Sequence, residues 1–154
     1  MRVDQLMTGT PASCRLFTNL GEAVELMLSY NCGILPVLDA HEAVLGVVTD
    51  RDICIALGTR NKLPGEITVG EVATRRAVCC KPGDDVRTAL AAMAEARVRR
   101  LPVVDNAGKL VGVLSMDDIV MRARGATRPV AVAAEDVLRI LNSVYRPDLP
   151  VVVH

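Results

Sequence analysis

Tryptophan is absent from this chain of 154 residues, and two tyrosines and one phenylalanine are its only aromatics. Its core must therefore be built from Val, Leu, Ile, Ala and Met, and an apolar content of 51% supplies enough of them. Net charge is missing too, because 18 basic residues balance 18 acidic ones. That balance gives no overall electrostatic footprint for nucleic acid or an anionic membrane, and neither is expected as a partner. No apolar run approaches the ~18–20 residues of a membrane span, and MRVDQLMTG lacks the apolar stretch of a signal peptide. A cytoplasmic protein is expected. Histidine occurs only as His41, in a turn-like segment, and as the terminal His154. The five cysteines (Cys14, Cys32, Cys54, Cys79, Cys80) form no CxxC pair, and an odd set suits reduced thiols better than a disulfide scaffold. Zinc usually takes clustered N and S ligands, so no metal ligand is assigned. Nucleophile elbows, Walker loops, G-x-G-x-x-G turns and Cys-His pairs are likewise missing. The chain reads as a non-enzyme with no catalytic residue.

What is present is repetition. Displacing the sequence by 66 residues aligns 3–55 with 69–121 without a gap. Leu35-Pro36-Val37 falls on Leu101-Pro102-Val103, Asp39 on Asp105, Met27 on Met93, and Gly46-Val47 on Gly112-Val113. Each copy has a short extended segment (12–14; 77–80) and a helix capped at Thr18 or Asn19, and at Asp84 or Asp85. The apolar face of that helix is Ala23, Leu26, Met27 and Tyr30 in one copy, and Ala89, Ala92, Met93 and Ala96 in the other. Two β-rich runs follow (LPVLD and AVLGVV; LPVVD and KLVGVL), joined by the turns AHE and NAG. A second helix starts at Thr49 or Ser115 and stops near Gly58 or Gly125, where glycine can take a left-handed cap. The predicted order is β-α-β-β-α, twice, in an α/β (α+β) fold. Repeat 1 spans 1–58, a linker 59–68, repeat 2 69–125, and a C-terminal extension 126–154. One copy is too small to bury its sheet and helices well, so two copies are expected to pack about a pseudo-twofold axis and share apolar surface. Beyond Thr127-Arg128-Pro129, the residues Val137, Ile140, Leu141 and Val144 mark an amphipathic helix. The short apolar tail PDLPVVVH that follows reads as a strap over the module or as part of a subunit contact.

The motif GVVTDRDI at 46–53 recurs as GVLSMDDI at 112–119. Thr49-x-x-Asp52 and Ser115-x-x-Asp118 can be capping boxes with Asp in place of Glu. They can also be ligand sites: a hydroxyl stands where free backbone N–H groups favour an anion, and a carboxylate can accept from both ribose hydroxyls. The two roles are compatible. Val47 and Val113 sit two residues before each hydroxyl.

The LPV-[LV]-D segment, the variable turn and G-V-[VL]-[ST]-x-x-D-I, twice over, resemble a cystathionine-β-synthase (CBS) domain pair, the Bateman module, across residues 1–125. The resemblance implies a regulatory module without a required cofactor. Such a module binds adenosine-containing ligands (AMP, ADP, ATP or S-adenosylmethionine) in clefts between the repeats, pairs as a homodimer, and acts on a separate protein. It also implies that Thr49, Asp52, Ser115 and Asp118 contact ribose and phosphate, that an adenine or ribose face packs on Val47 and Val113, and that Ala12 and Val78 wall the adenine from the other repeat. A basic residue just before the LPV proline often reaches the phosphates in that family. Arg99 and Arg100 then make the Ser115/Asp118 cleft the better phosphate site, whereas Gly33 and Ile34 leave copy one without one; the alternative for RVRR is a solvated helix end. The rival functions are a docking and dimerisation module that binds no ligand, and a thiol or metal sensor built on Cys79-Cys80.

Overall fold

The computed structural model describes residues 1–125 and 134–145. In the first copy a 3-10 turn (Val3–Gln5) leads to β1 (Thr8–Gly9), β2 (Cys14–Arg15), α1 (Leu20–Ser29), β3 (Ile34–Leu38), β4 (Val44–Thr49) and α2 (Asp50–Arg60). In the second, a 3-10 turn (Val69–Glu71) leads to β5 (Thr74–Arg75), α3 (Val86–Ala96), β6 (Arg100–Val104), β7 (Leu110–Ser115) and α4 (Met116–Gly125), and α5 (Ala134–Tyr145) follows. Asn19 and Asp85 are the caps of α1 and α3, accepting from the backbone N–H of Glu22 at 3.0 Å and of Arg87 at 2.9 Å. Asn31 and Arg97, just past these helices, take the left-handed conformation (φ 48° and 54°) that turns the chain into the next strand.

The strands form two sheets, in the orders β2-β3-β4-β5 and β1-β7-β6. Both contain an exchange that the repeat pattern does not announce. β5 belongs to the second copy but pairs with β4 of the first (Gly46↔Arg75, Val47↔Thr74), and β1 of the first pairs with β7 of the second (Thr8↔Val113, Gly9↔Gly112). The motif glycines make this crossing possible. A Cβ on Gly46 would overlap the Thr74 carbonyl oxygen; one on Gly112 would lie 2.6 Å from Met7 Sδ and 3.0 Å from the Thr8 carbonyl oxygen. The pseudo-twofold axis is written in the hydrogen bonds. Val3 N–H donates to Asp84 O (3.0 Å) as Val69 N–H donates to Thr18 O (2.8 Å), and Val44 N–H donates to Gly108 O as Leu110 N–H donates to Glu42 O, both at 3.2 Å.

Two buried clusters result. One joins Leu20, Ala23, Met27, Leu35, Val37, Val48 and Ile53 to Ile67 and Val69; the other joins Ala89, Leu90, Met93, Leu101, Val103 and Leu114 to Val3, Leu6 and Ile140. The expected sharing of apolar surface thus takes the form of exchanged leading segments, and the core is divided in two. Within the segment 59–68, Thr59 and Arg60 continue α2 and Ile67 is fully buried.

Three local expectations are corrected. Tyr30 is 61% exposed because α1 ends at Ser29, so Tyr30 leaves the buried face of Ala23 and Met27. Gly58 lies inside α2, whose left-handed cap is Asn61 (φ 46°, ψ 44°). The extended segment at 77–80 makes only a single parallel bridge, Cys80↔Val103. α5 packs Val137, Ile140, Leu141 and Val144 in the second cluster, beside Ala92 and Ala94 of α3. The equivalent positions in α1 are the bulkier Leu26 and Leu28. The break at Thr127-Arg128-Pro129 and the tail 147–154, with its two readings as strap or subunit contact, lie outside the described residues. Among the described residues no helix is long and apolar enough to cross a membrane.

Candidate functional site

Each motif closes as a reciprocal capping box at the junction of a strand and a helix. Thr49 Oγ1 accepts from Asp52 N–H at 3.2 Å, while Asp52 Oδ2 accepts from Thr49 N–H at 2.9 Å and from its hydroxyl at 2.7 Å. Ser115 and Asp118 repeat the arrangement at 3.1, 2.9 and 2.6 Å. The hydroxyls are therefore held still by the fold itself. Only Oδ2 of each carboxylate is used by the box, and Oδ1 stands outside it. The ligand role is compatible with this geometry, since an acceptor remains at each helix start.

A cavity opens beside each box. The first, of ≈ 420 Å³, is lined by Val47 and Thr49 of copy one, Val78 from the second copy, and Arg99 and Arg100. The second, of ≈ 310 Å³, is lined by Val113, Ser115 and Asp118 of copy two, Ala12 from the first copy, and Arg100. The crossing of β1 and β5 carries Ala12 and Val78 to these walls, each from the other repeat. Asp52 holds its box without lining the first cavity, whereas Asp118 lines the second.

The arginines are distributed differently from the expectation. Arg99 borders the Thr49 cavity and not the Ser115 cavity, and Arg100 borders both. Successive residues entering a strand point to opposite sides, so Arg99 and Arg100 diverge. Arg100 and Ile34, related by the 66-residue displacement, both border both cavities, which puts them next to the pseudo-axis. Arg100 Nη2 lies 3.9 Å from Asp117 Oδ2. Sequence reasoning passed over Arg51, Arg76 and Arg97 at the first cavity, and Thr8 and Thr10 at the second. It also missed Val144, by which α5 joins the first cavity. The only signal was the repeat itself: Thr10 and Arg76 occupy matching positions, and both adopt positive φ (47° and 60°) where the crossing strand turns.

The cysteines have a packing role at two positions. Cys14 and Cys80 are buried in the two cores, with thiols directed at the carbonyl oxygens of Pro36 and Pro102 at 3.9 and 4.0 Å. Burial pushes the Cys14 thiol up to about 11; burial, reinforced by Asp84 and Cys79, pushes Cys80 up to about 12. Burial also raises the Cys79 thiol. These groups are protonated, poor nucleophiles at neutral pH. Among the described residues no group of three or more His, Cys, Asp or Glu is placed to hold a metal ion.

With this geometry established, comparison with known proteins is direct. The CBS domain family model matches residues 3–59 and 69–125. The chain is 32% identical over 117 residues to the CBS domain-containing protein YhcV of Bacillus subtilis, covering 76% of this chain and 81% of that protein. It spans only 20% and 56% of the length of two other curated relatives. Among solved structures it superimposes on the CBS domain pair of protein MJ0100 in complex with 5′-methylthioadenosine and S-adenosyl-L-methionine (TM-score 0.74, 25% identity, 81% of this chain and 97% of that one). It also superimposes on CBSX2 in complex with AMP (TM-score 0.69, 28% identity, 82% and 98%).

Proposed function

Since the chain belongs to the CBS domain family, as a tandem pair of its repeats, we propose that it is a regulatory module that binds adenosine-containing ligands in its two clefts and so modulates a partner protein. One observation carries this reading. Each cleft combines a capped helix start, a valine wall and a segment delivered from the other repeat. A ligand seated there touches both repeats and therefore favours one mutual arrangement of them, which is the condition for coupling to a partner. The complexes of MJ0100 and CBSX2 support the ligand class.

Isothermal calorimetry and thermal melting against AMP, ADP, ATP, S-adenosylmethionine and 5′-methylthioadenosine test it. A ligand at a hundredfold excess over its Kd stabilises by about 2.7 kcal/mol, which raises the melting temperature of a chain this size by roughly 5–10 °C. Absence of both heat and melting shift with all five ligands rejects the reading in favour of the docking module. A homodimer belongs to the same proposal: Val24, Leu28 and Ile55, on α1 and α2, are 43%, 81% and 51% exposed. Light scattering should return twice the chain mass, and Leu28→Glu should return it to the monomer value; a wild-type monomer contradicts the pairing.

A further inference from the structure

Resting on the ligand reading above, we infer that the two clefts divide ligands by charge: the Thr49 cleft takes the polyphosphate forms, and the Ser115 cleft takes adenosyl ligands with a single phosphate or none. Among the described residues, five arginines line the first cavity (Arg51, Arg76, Arg97, Arg99, Arg100) against one acid, Asp50. The second is lined by Arg100 alone among the basic residues, against Asp117 and Asp118. Arg100 is moreover committed toward Asp117 at 3.9 Å. The clefts share their fold, their capping boxes and their small apolar walls, and charge is the difference that bears most on a phosphate.

The arginines reach the first cavity from separate elements: Arg51 from the start of α2, Arg76 from the loop after β5, Arg97 and Arg99 from the link between α3 and β6, and Arg100 from the start of β6. Arginines converging from several directions suit an extended chain of phosphate oxygens, each of which can be met by a planar guanidinium. Arg97 and Arg99 already have other partners. A ligand must compete for them, and only one with several negative charges offers a favourable exchange. In the second cavity each added phosphate meets Asp117 and Asp118 at close quarters, and the repulsion favours 5′-methylthioadenosine, S-adenosylmethionine or AMP.

Calorimetry without added divalent metal, with ATP, AMP, 5′-methylthioadenosine and inorganic tripolyphosphate, tests the division. In the wild type ATP should bind the Thr49 cleft at least tenfold more tightly than AMP, and more weakly as salt is raised. Arg51→Gln/Arg99→Gln should weaken ATP and tripolyphosphate tenfold to a hundredfold, a loss typical of hydrogen bonds to charged groups, and change 5′-methylthioadenosine by less than about twofold. Val78→Trp, which fills the first cavity, should abolish tripolyphosphate binding, and Ala12→Trp should spare it. Circular dichroism and melting of each variant confirm the fold. ATP no tighter than AMP, or ATP indifferent to the arginine pair, overturns the division and leaves the adenosyl reading standing. Tripolyphosphate binding that needs the arginines, in a protein that ignores adenosyl ligands, keeps the polyphosphate cleft and rejects the adenosyl reading. Silence from every probe overturns both.

Discussion

Gly46→Ala is expected to cost about 3 kcal/mol of stability, the upper end for overpacking a tight contact, and to lower the melting temperature by roughly 6–12 °C. The added methyl meets backbone, the Thr74 carbonyl, with Arg75 Cα also 3.3 Å away. No side chain can swing aside to receive it. Either β5 moves off β4 or the pairs Gly46↔Arg75 and Val47↔Thr74 are lost. Gly112→Ala is the internal control. There the nearest atom is Met7 Sδ, the mobile part of a flexible side chain, and the Thr8 carbonyl oxygen stands at 3.0 Å, so the cost should be smaller, about 1–2 kcal/mol. Denaturant melts of the two variants settle the order, and equal losses would mean that the Thr74 carbonyl is no harder to displace than Met7 and the Thr8 carbonyl. Because β5 leads directly into Arg76 and Val78, Gly46→Ala should also weaken ligands at the Thr49 cleft while sparing the Ser115 cleft.

This requirement shows where sequence reasoning reached and where it stopped. The duplication was legible from its gapless alignment; the caps, narrowed to Thr18 or Asn19 and to Asp84 or Asp85, and the boxes at Thr49 and Ser115 were legible because they depend on local spacing at a helix start. Gly46 and Gly112 were visible as a repeated letter, but their reason was not, since the atoms they avoid belong to segments 28 and 104 residues away in the chain. The exchange of β1 and β5 is invisible for the same cause. A two-residue strand carries no periodicity, and matched copies leave unsaid which sheet each leading segment joins. The family resemblance put Arg99 at its own repeat's cleft; the alternation of side chains entering β6 sends it to the other. Tyr30 and Gly58 failed at helix ends, where a pattern of periodic residues does not say which residue turns left-handed.

The choice between cap and ligand site can be decided at Asp118. Asp118→Ala removes the acceptor for Ser115 N–H and for its hydroxyl, and should lower the stability of the ligand-free protein by about 1 kcal/mol, as loss of a cap does. Ser115→Ala should cost a similar amount, and the double variant scarcely more than either single one, because the two groups form one reciprocal box. A cap alone would end the matter there. If Asp118 also faces the ligand, as its place in the cavity wall supports, the ~2.7 kcal/mol gained at a hundredfold excess of 5′-methylthioadenosine over the wild-type Kd disappears as well. The variant would then stand about 4 kcal/mol below the liganded wild type, a larger change than either role produces alone. Asp52→Ala separates the two terms. Its box has the same bonds, so the ligand-free cost should match, but Asp52 does not line its cavity and most of the stabilisation by ATP at the Thr49 cleft should remain. Full retention of the 5′-methylthioadenosine shift in Asp118→Ala would reduce both motifs to helix caps, and the clefts would then owe their ligands to the arginines and the crossing strands.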